Sequence, residues 1–283
     1  HRTQRLAAWI ALALIGCLAR PVWSQEAENS FPSEPRSQPR FAISLGYTST
    51  DANGSLQTPR GGAPGSTSPA RPTLAEIGID DADVFDAELR VALDRHRFSL
   101  GVQFVGMDGS AVLDRALTSQ ANPFPAGTTV RADVRMDSYR FGYGYAFSLP
   151  LGDTAGALEL TPTAQATFLD FDFDLDGGGP TVDRAYIKGG VRLGGTLEWR
   201  PEQLPISIGA EGYWGLPIDN MAQLSAAQLV ARWHLSGSTR RAGVVLSLGV
   251  GFEWIEYEDE QTVPNHLDVE LGPVVMAGLA YTF

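Results

Sequence analysis

Residues 138–149 read Ser-Tyr-Arg-Phe-Gly-Tyr-Gly-Tyr-Ala-Phe-Ser-Leu. Tyr139, Phe141, Tyr143, Tyr145, Phe147 and Leu149 alternate with Ser138, Arg140, Gly142, Gly144, Ala146 and Ser148. A period of two places all the large apolar side chains on one face of an extended strand. The opposite face is polar or bare glycine. The same scheme recurs along the chain. Phe41, Ile43, Leu45 and Tyr47 form one set, and Phe98, Leu100, Val102 and Phe104 another. Val244, Leu246, Leu248, Val250, Phe252 and Trp254 form a third.

A soluble sandwich also alternates, so the medium touching the apolar face has to be argued. These runs hold about ten residues or more, longer than the five or six usual in soluble strands. That length suits a tilted membrane-crossing strand. The expected strands lie near 40–50, 83–94, 97–107, 131–149, 156–175, 183–200, 205–216, 224–236, 241–257 and 267–283. Short turns alternate with longer connections at 51–82, 108–130, 176–182, 217–223 and 258–266. This spacing predicts an all-β, up-and-down antiparallel transmembrane barrel of ten strands, with eight as the alternative. The strand at 156–175 changes phase: Leu158, Leu160, Ala164, Ala166 and Phe168 share one parity, Phe171, Phe173 and Leu175 the other. A β-bulge near Leu169 is the expected cause.

The rest of the chain is consistent with export. Arg2 and Arg5 precede the apolar run Leu6 to Gly16, which is too short to span a bilayer and fits a signal peptide over 1–24. Cleavage is expected after Ser24. The alternative is lipidation at Cys17, within Leu14-Ile15-Gly16-Cys17. Residues 25–39 are polar and proline-bearing and read as a flexible periplasmic leader. The barrel is then 40–283. The 283 residues carry a net charge of −12, which removal of Arg2, Arg5 and Arg20 makes more negative. Such acidity excludes nucleic acid as a partner. One cysteine excludes an internal disulfide framework and a thiolate zinc cluster.

The C-terminal Met276-Ala-Gly278-Leu-Ala-Tyr281-Thr-Phe283 resembles the assembly signal of outer-membrane proteins, with Gly278, Tyr281 and Phe283 at the matching places. Met276 departs from the polar residue expected there. The resemblance implies the barrel-assembly machinery as a partner. Over residues 40–283 the chain resembles small outer-membrane barrels of the opacity-protein and OmpA transmembrane-domain kind. The segment Gly78 to Phe85 is similar to one in uncharacterised proteobacterial members. The resemblance implies an architecture and outer-membrane location, with no catalytic or ligand residue.

Candidate interior residues follow from parity: Glu88, Arg90, Arg140, Lys188, Arg192, Glu198, Glu211, Arg232, His234, Glu253, Asp268 and Glu270. Charges removed from water have to be paired, so these predict a salt-bridge network filling a narrow lumen. The alternative is a narrow diffusion channel for small polar solutes. Asp172, Asp174, Asp176 and Asp183 have the spacing of a calcium loop, yet strands rather than helices flank them. No other cofactor is expected. Asp81 and Asp83 with His266 and Asp268 are the residues of an omptin-like protease reading, ranked third. His234-Leu235-Ser236 resembles the His-x-Ser of lipid A deacylases. The preferred expectation is a non-enzymatic, monomeric barrel of structural or surface-interaction type, with long mobile outer loops. Its surroundings would be outer-membrane lipid and lipopolysaccharide.

Overall fold

The computed structural model describes residues 39–151, 156–179, 181–235 and 243–282. The expected signal peptide, Cys17, nearly all of the expected leader, Ser236 and Phe283 lie outside the described residues. The strands are β1 (Arg40–Gln57), β2 (Asp81–Leu93), β3 (His96–Val112), β4 (Leu117–Ser119), β5 (Asn122–Phe124), β6 (Thr129–Tyr145), β7 (Phe147–Pro150), β8 (Ala157–Asp176), β9 (Thr181–Arg200), β10 (Ile206–Gly215), β11 (Gln223–His234), β12 (Gly243–Glu258) and β13 (His266–Thr282). β7 prolongs the line of β6 along β8. The Pro162 ring lacks an N–H, and the ladder lapses there. Each long strand pairs antiparallel with its sequence neighbour. β1 also pairs with β13 from Ala42 opposite Thr282 to Gln57 opposite His266. The ring closes, and the barrel has ten strands.

We call the end holding Arg40 and Thr282 the lower end. In the lower half the outward face is apolar, with Leu45, Tyr143, Leu160, Trp233 and Leu248 all exposed. On β8 this face runs from Leu158 to Phe168. Ten steps at about 3.4 Å, tilted by about 40°, cover about 26 Å, the height of a bilayer's apolar band. Tyr, Trp and Phe side chains mark both edges, as in membrane barrels.

Above that band the two faces exchange character. Leu169, Phe171, Phe173 and Leu175 of β8 point inward and are buried, while Asp170, Asp172, Asp174 and Asp176 point outward. No bulge is present near Leu169: the register with β6 and β9 runs unbroken through it. The parity of the strand never slips. The apolar residues change face because the surroundings change from lipid outside to water outside. β6 does the same, with Val130, Ala132, Val134 and Met136 inside, then Ser138 and Arg140 below them.

A bulge does occur on β13. Gly251 pairs with Val274 and Glu253 with Leu271, so Gly272 and Pro273 together face Phe252. The extra residue turns the parity over. Val275 is 55% exposed whereas Val274 is 1% exposed, and Leu267, Val269 and Leu271 lie inside. Asp268 and Glu270, expected in the interior, therefore stand on the outer face.

The upper core is completed by the two long connections. They were expected to be mobile, and instead they pack. Leu74, Ile77 and Ile79 of the first and Leu113, Leu117 and Phe124 of the second join the buried cluster. A 3-10 turn at Ala75–Ile77 is held by reciprocal bonds, Thr73 N–H to Glu76 Oε2 at 2.9 Å and Glu76 N–H to Thr73 Oγ1 at 3.2 Å. This is the capping-box arrangement. Gly78, at φ 83°, ends the turn. The β4–β5 hairpin bonds to the first connection through Ser68 N–H to Thr118 O and Ala121 N–H to Ser66 O. Its Gln120 and Asn122 amides donate to the carbonyls of Asp183 and Thr181 at the start of β9. The two connections together form a plug across the upper mouth.

Gly109 is where the plug meets the wall. A Cβ there would lie 2.0 Å from the carbonyl oxygen of Gly78. Backbone cannot yield that distance cheaply. Gly109→Ala is expected to undock residues 58–80 while leaving the lower barrel intact. Trypsin cleavage after Arg60 should accelerate by about tenfold or more, following the open population. An unchanged cleavage rate would show that the plug is not seated against β3.

Candidate functional site

The lower lumen is the first candidate. Parity places Glu88 and Arg90 of β2, Arg140 of β6, Arg192 and Glu198 of β9, Glu211 of β10, Arg232 of β11 and Glu253 of β12 on the inner wall around one cavity of about 310 Å³. Lys188 sits higher, with its ammonium 4.7 Å from the Tyr257 ring centre. Of the twelve residues expected in the interior, Asp268 and Glu270 are turned away.

The charges form pairs layer by layer. Uppermost, Arg140 is engaged with Asp86. A side chain at Gly101 would meet the Arg140 guanidinium at 2.9 Å, so the bare glycine makes the room. In the next layer Arg90 Nε donates to Glu88 at 2.7 Å and lies 3.7 Å from Glu211. Glu211 also takes Arg232 and, at 3.0 Å, the Gln228 amide. At the lower end Arg200 holds Glu198 at 3.0 Å and lies 3.5 Å from Glu159, which Arg97 also approaches to 3.5 Å. His234 Nε2 lies 3.4 Å from Ser207 Oγ. Asp86, Gln103, Gln165 and Tyr213 belong to this interior but escaped sequence reading. Parity alone would have found them, since each lies on the polar side of its strand.

The upper exterior is the second candidate. Asp51, Asp81, Asp83, Asp108, Asp170, Asp174, Glu256, Asp268 and Glu270 all face outward above the apolar band. Arg131 and Arg135 are among the few bases interleaved with them. The excess negative charge of the chain is concentrated there, whereas the lower lumen is nearly balanced.

The calcium-loop spacing does not become a loop. Asp172, Asp174 and Asp176 lie on extended β8, pointing outward, and Asp183 is on β9 opposite Asp174. The turn begins only at Gly177. A pleated strand spaces alternate carboxylates about 6.7 Å apart along one line, so they cannot curl around an ion. Among the described residues no group of three or more potential ligands is gathered for a metal. Burial and the neighbouring carboxylate of Asp172 push the Asp174 carboxyl above its ordinary value.

The omptin-like set does not converge either. Asp81 and Asp83 face outward on β2, with Asp83 accepting from Tyr47 Oη at 2.8 Å. His266 stands opposite Gln57 and Asp83 opposite Ser49 on β1. That is about 26 Å along the strand. Both His266 nitrogens are occupied, Nδ1 by Glu258 at 2.9 Å and Nε2 by Arg71 at 3.1 Å. Of the assembly-signal residues, Gly278 faces the lumen opposite Ser247, and Tyr281 is exposed on the apolar face.

The plug is clamped at the rim by Glu76 and Arg115. Arg115 Nε and Nη2 donate to the two Glu76 oxygens at 2.8 and 2.9 Å. These bonds hold the Glu76 carboxyl down to about 2, below its ordinary 4.5. A depressed carboxyl stabilises above its unfolded value and loses that contribution as pH falls through the folded one. Plug docking is thus expected to loosen between about pH 4.5 and about pH 2. Protease susceptibility of 58–80 against pH reads it, and Glu76→Gln should flatten that profile.

No family model matches the chain, and no curated protein matches it. Among solved structures, the attachment invasion locus protein of Yersinia pestis, solved in complex with the heparin analogue sucrose octasulfate, is similar. The alignment covers 87% of this chain and 100% of that one, at 12% identity and a TM-score of 0.36.

Proposed function

We propose that this chain is an integral outer-membrane barrel that presents a rigid, acidic platform outside the cell and conducts little or nothing. The observation that carries the reading is the exchange of faces along the strands that rise above the apolar band, such as β6 and β8. Above the apolar band the barrel interior is a packed core of Phe171, Phe173, Met136, Val134 and the plug residues. Water and ions have no polar path through such a core. The upper barrel is then a soluble-type domain raised on a membrane-type one. Folded loops on a stiff scaffold suit contact with a partner.

The chemistry of that partner follows from charge. The outward carboxylates named above favour a cationic surface and disfavour a polysulfated ligand such as sucrose octasulfate. Lipopolysaccharide phosphates around the barrel would meet the lower carboxylates through divalent cations. Gly278 and Tyr281 on β13 would serve the barrel-assembly machinery.

The competing reading is a narrow diffusion channel, favoured by the polar lower cavity. Planar-bilayer recording of the inserted protein separates the two. Silence is expected, together with binding of the same protein to a basic polypeptide such as polylysine that salt weakens. Steady, charge-selective openings would replace the platform by a pore.

A further inference from the structure

Around the lower cavity, among the described residues, one acid and one base are not joined to an opposite charge. Arg192 is 6% exposed. Its Nε donates to Gln165 Oε1 at 2.5 Å, and its guanidinium lies 4.5 Å from the centre of the Tyr213 ring. Among the described residues no carboxylate comes within ion-pair distance of it. The nearby Arg140 is already engaged with Asp86. Glu253 accepts the Gln103 amide at 2.9 and 2.8 Å and likewise has no arginine within ion-pair distance. Both side chains line the same cavity of about 310 Å³, together with Tyr213. Every other charged side chain around that space, apart from His234, belongs to an ion pair.

Burying an unpaired guanidinium or carboxylate is costly. A glutamine amide satisfies part of each group, and the opposite charges nearby act on it only from beyond ion-pair distance. The cavity lies at the small end of the range for small-molecule sites. A lone anion would answer Arg192 but add charge beside Glu253, Glu88 and Glu211. A lone cation would answer Glu253 but add charge beside Arg140 and Arg192. A molecule carrying both signs on adjacent atoms answers both and leaves the lumen neutral.

We infer that the lower lumen is a binding cup for a small zwitterion of the α-amino acid class, its carboxylate on the Arg192 Nη atoms and its ammonium on Glu253. Arg192 supplies a planar pair of donors suited to a carboxylate. The core above closes the cup, so the ligand enters and leaves from the lower end, past Arg90 and Arg200, whose side chains remain 46% and 43% accessible.

The test is equilibrium dialysis of the folded, full-length barrel in detergent against radiolabelled L-alanine. Bound label near one per barrel is expected, displaced by unlabelled glycine and not by acetate or methylammonium. Arg192→Gln and Glu253→Gln are each expected to weaken binding by about tenfold or more. Gel mobility before and after heating shows whether each variant is folded. Should either fail to fold, Arg192→Lys and the competition series on the unaltered protein decide alone. No retained alanine overturns the proposal. So does equal competition by acetate, which would make the cup a plain anion site.

Discussion

Glu211→Ala is expected to lower the unfolding free energy of the folded barrel by about 3–5 kcal/mol. Glu211 is buried and holds three groups at once: Arg232, Arg90 and the Gln228 amide. Removing it takes away the main partner of the buried Arg232 guanidinium and leaves it only the more distant Glu198, at 3.8 Å. The cost is that of a poorly compensated buried charge, and it exceeds the value of any one contact. Arg232→Ala should cost a similar amount. The double variant should then cost much less than the sum, because no charge is stranded between the two. Urea unfolding in lipid vesicles measures all three. Additive losses would show that the two side chains act independently.

The second large effect concerns two phenylalanines five residues apart on one strand. Phe173 is buried in the upper core, and Phe168 is exposed on the apolar band. Truncating a buried phenylalanine removes its transfer energy and leaves a cavity, about 3–5 kcal/mol. Phe173→Ala should show that loss and should speed proteolysis of the plug packed against it. Phe168→Ala leaves no cavity, because lipid fills the space, and it should cost well under half as much. Equal losses would mean that β8 does not change its surroundings between the two positions.

That contrast explains what was legible before folding. Most strand positions were readable to within about two residues, because alternation marks each run, but β1 and β3 continue past the expected 50 and 107 to Gln57 and Val112, where the apolar outer face has ended. Residues such as Arg140 on β6 and Arg192 on β9 fell inside because their parity opposed the aromatic face. The same reasoning misplaced Glu270, since the bulge at Gly272–Pro273 leaves no break in the apolar pattern of Leu271, Pro273 and Val275. It also suggested a bulge at Leu169 where the strand is regular. The β4–β5 hairpin escaped because its turn uses Gln120 and Ala121 at φ 46° and 64°, where asparagine or glycine is the usual signal. Backbone bonds from the plug hold that turn in place: Gln120 N–H donates to Thr58 O and Ala121 N–H to Ser66 O.

The sequence by itself determined that the chain forms long two-faced strands and that ten of them alternate with short and long connections. Period two is a local property of the pleat and needs no partner to be read. Only the tertiary structure decided what each face touches. A pleated strand has two faces along its whole length, but the medium beside each face is set by the closed barrel and by its depth in the bilayer. Closure puts Phe173 in a core and Phe168 in lipid, seats Leu74 and Ile77 in the upper mouth, and leaves Arg192 and Glu253 facing one cavity without each other.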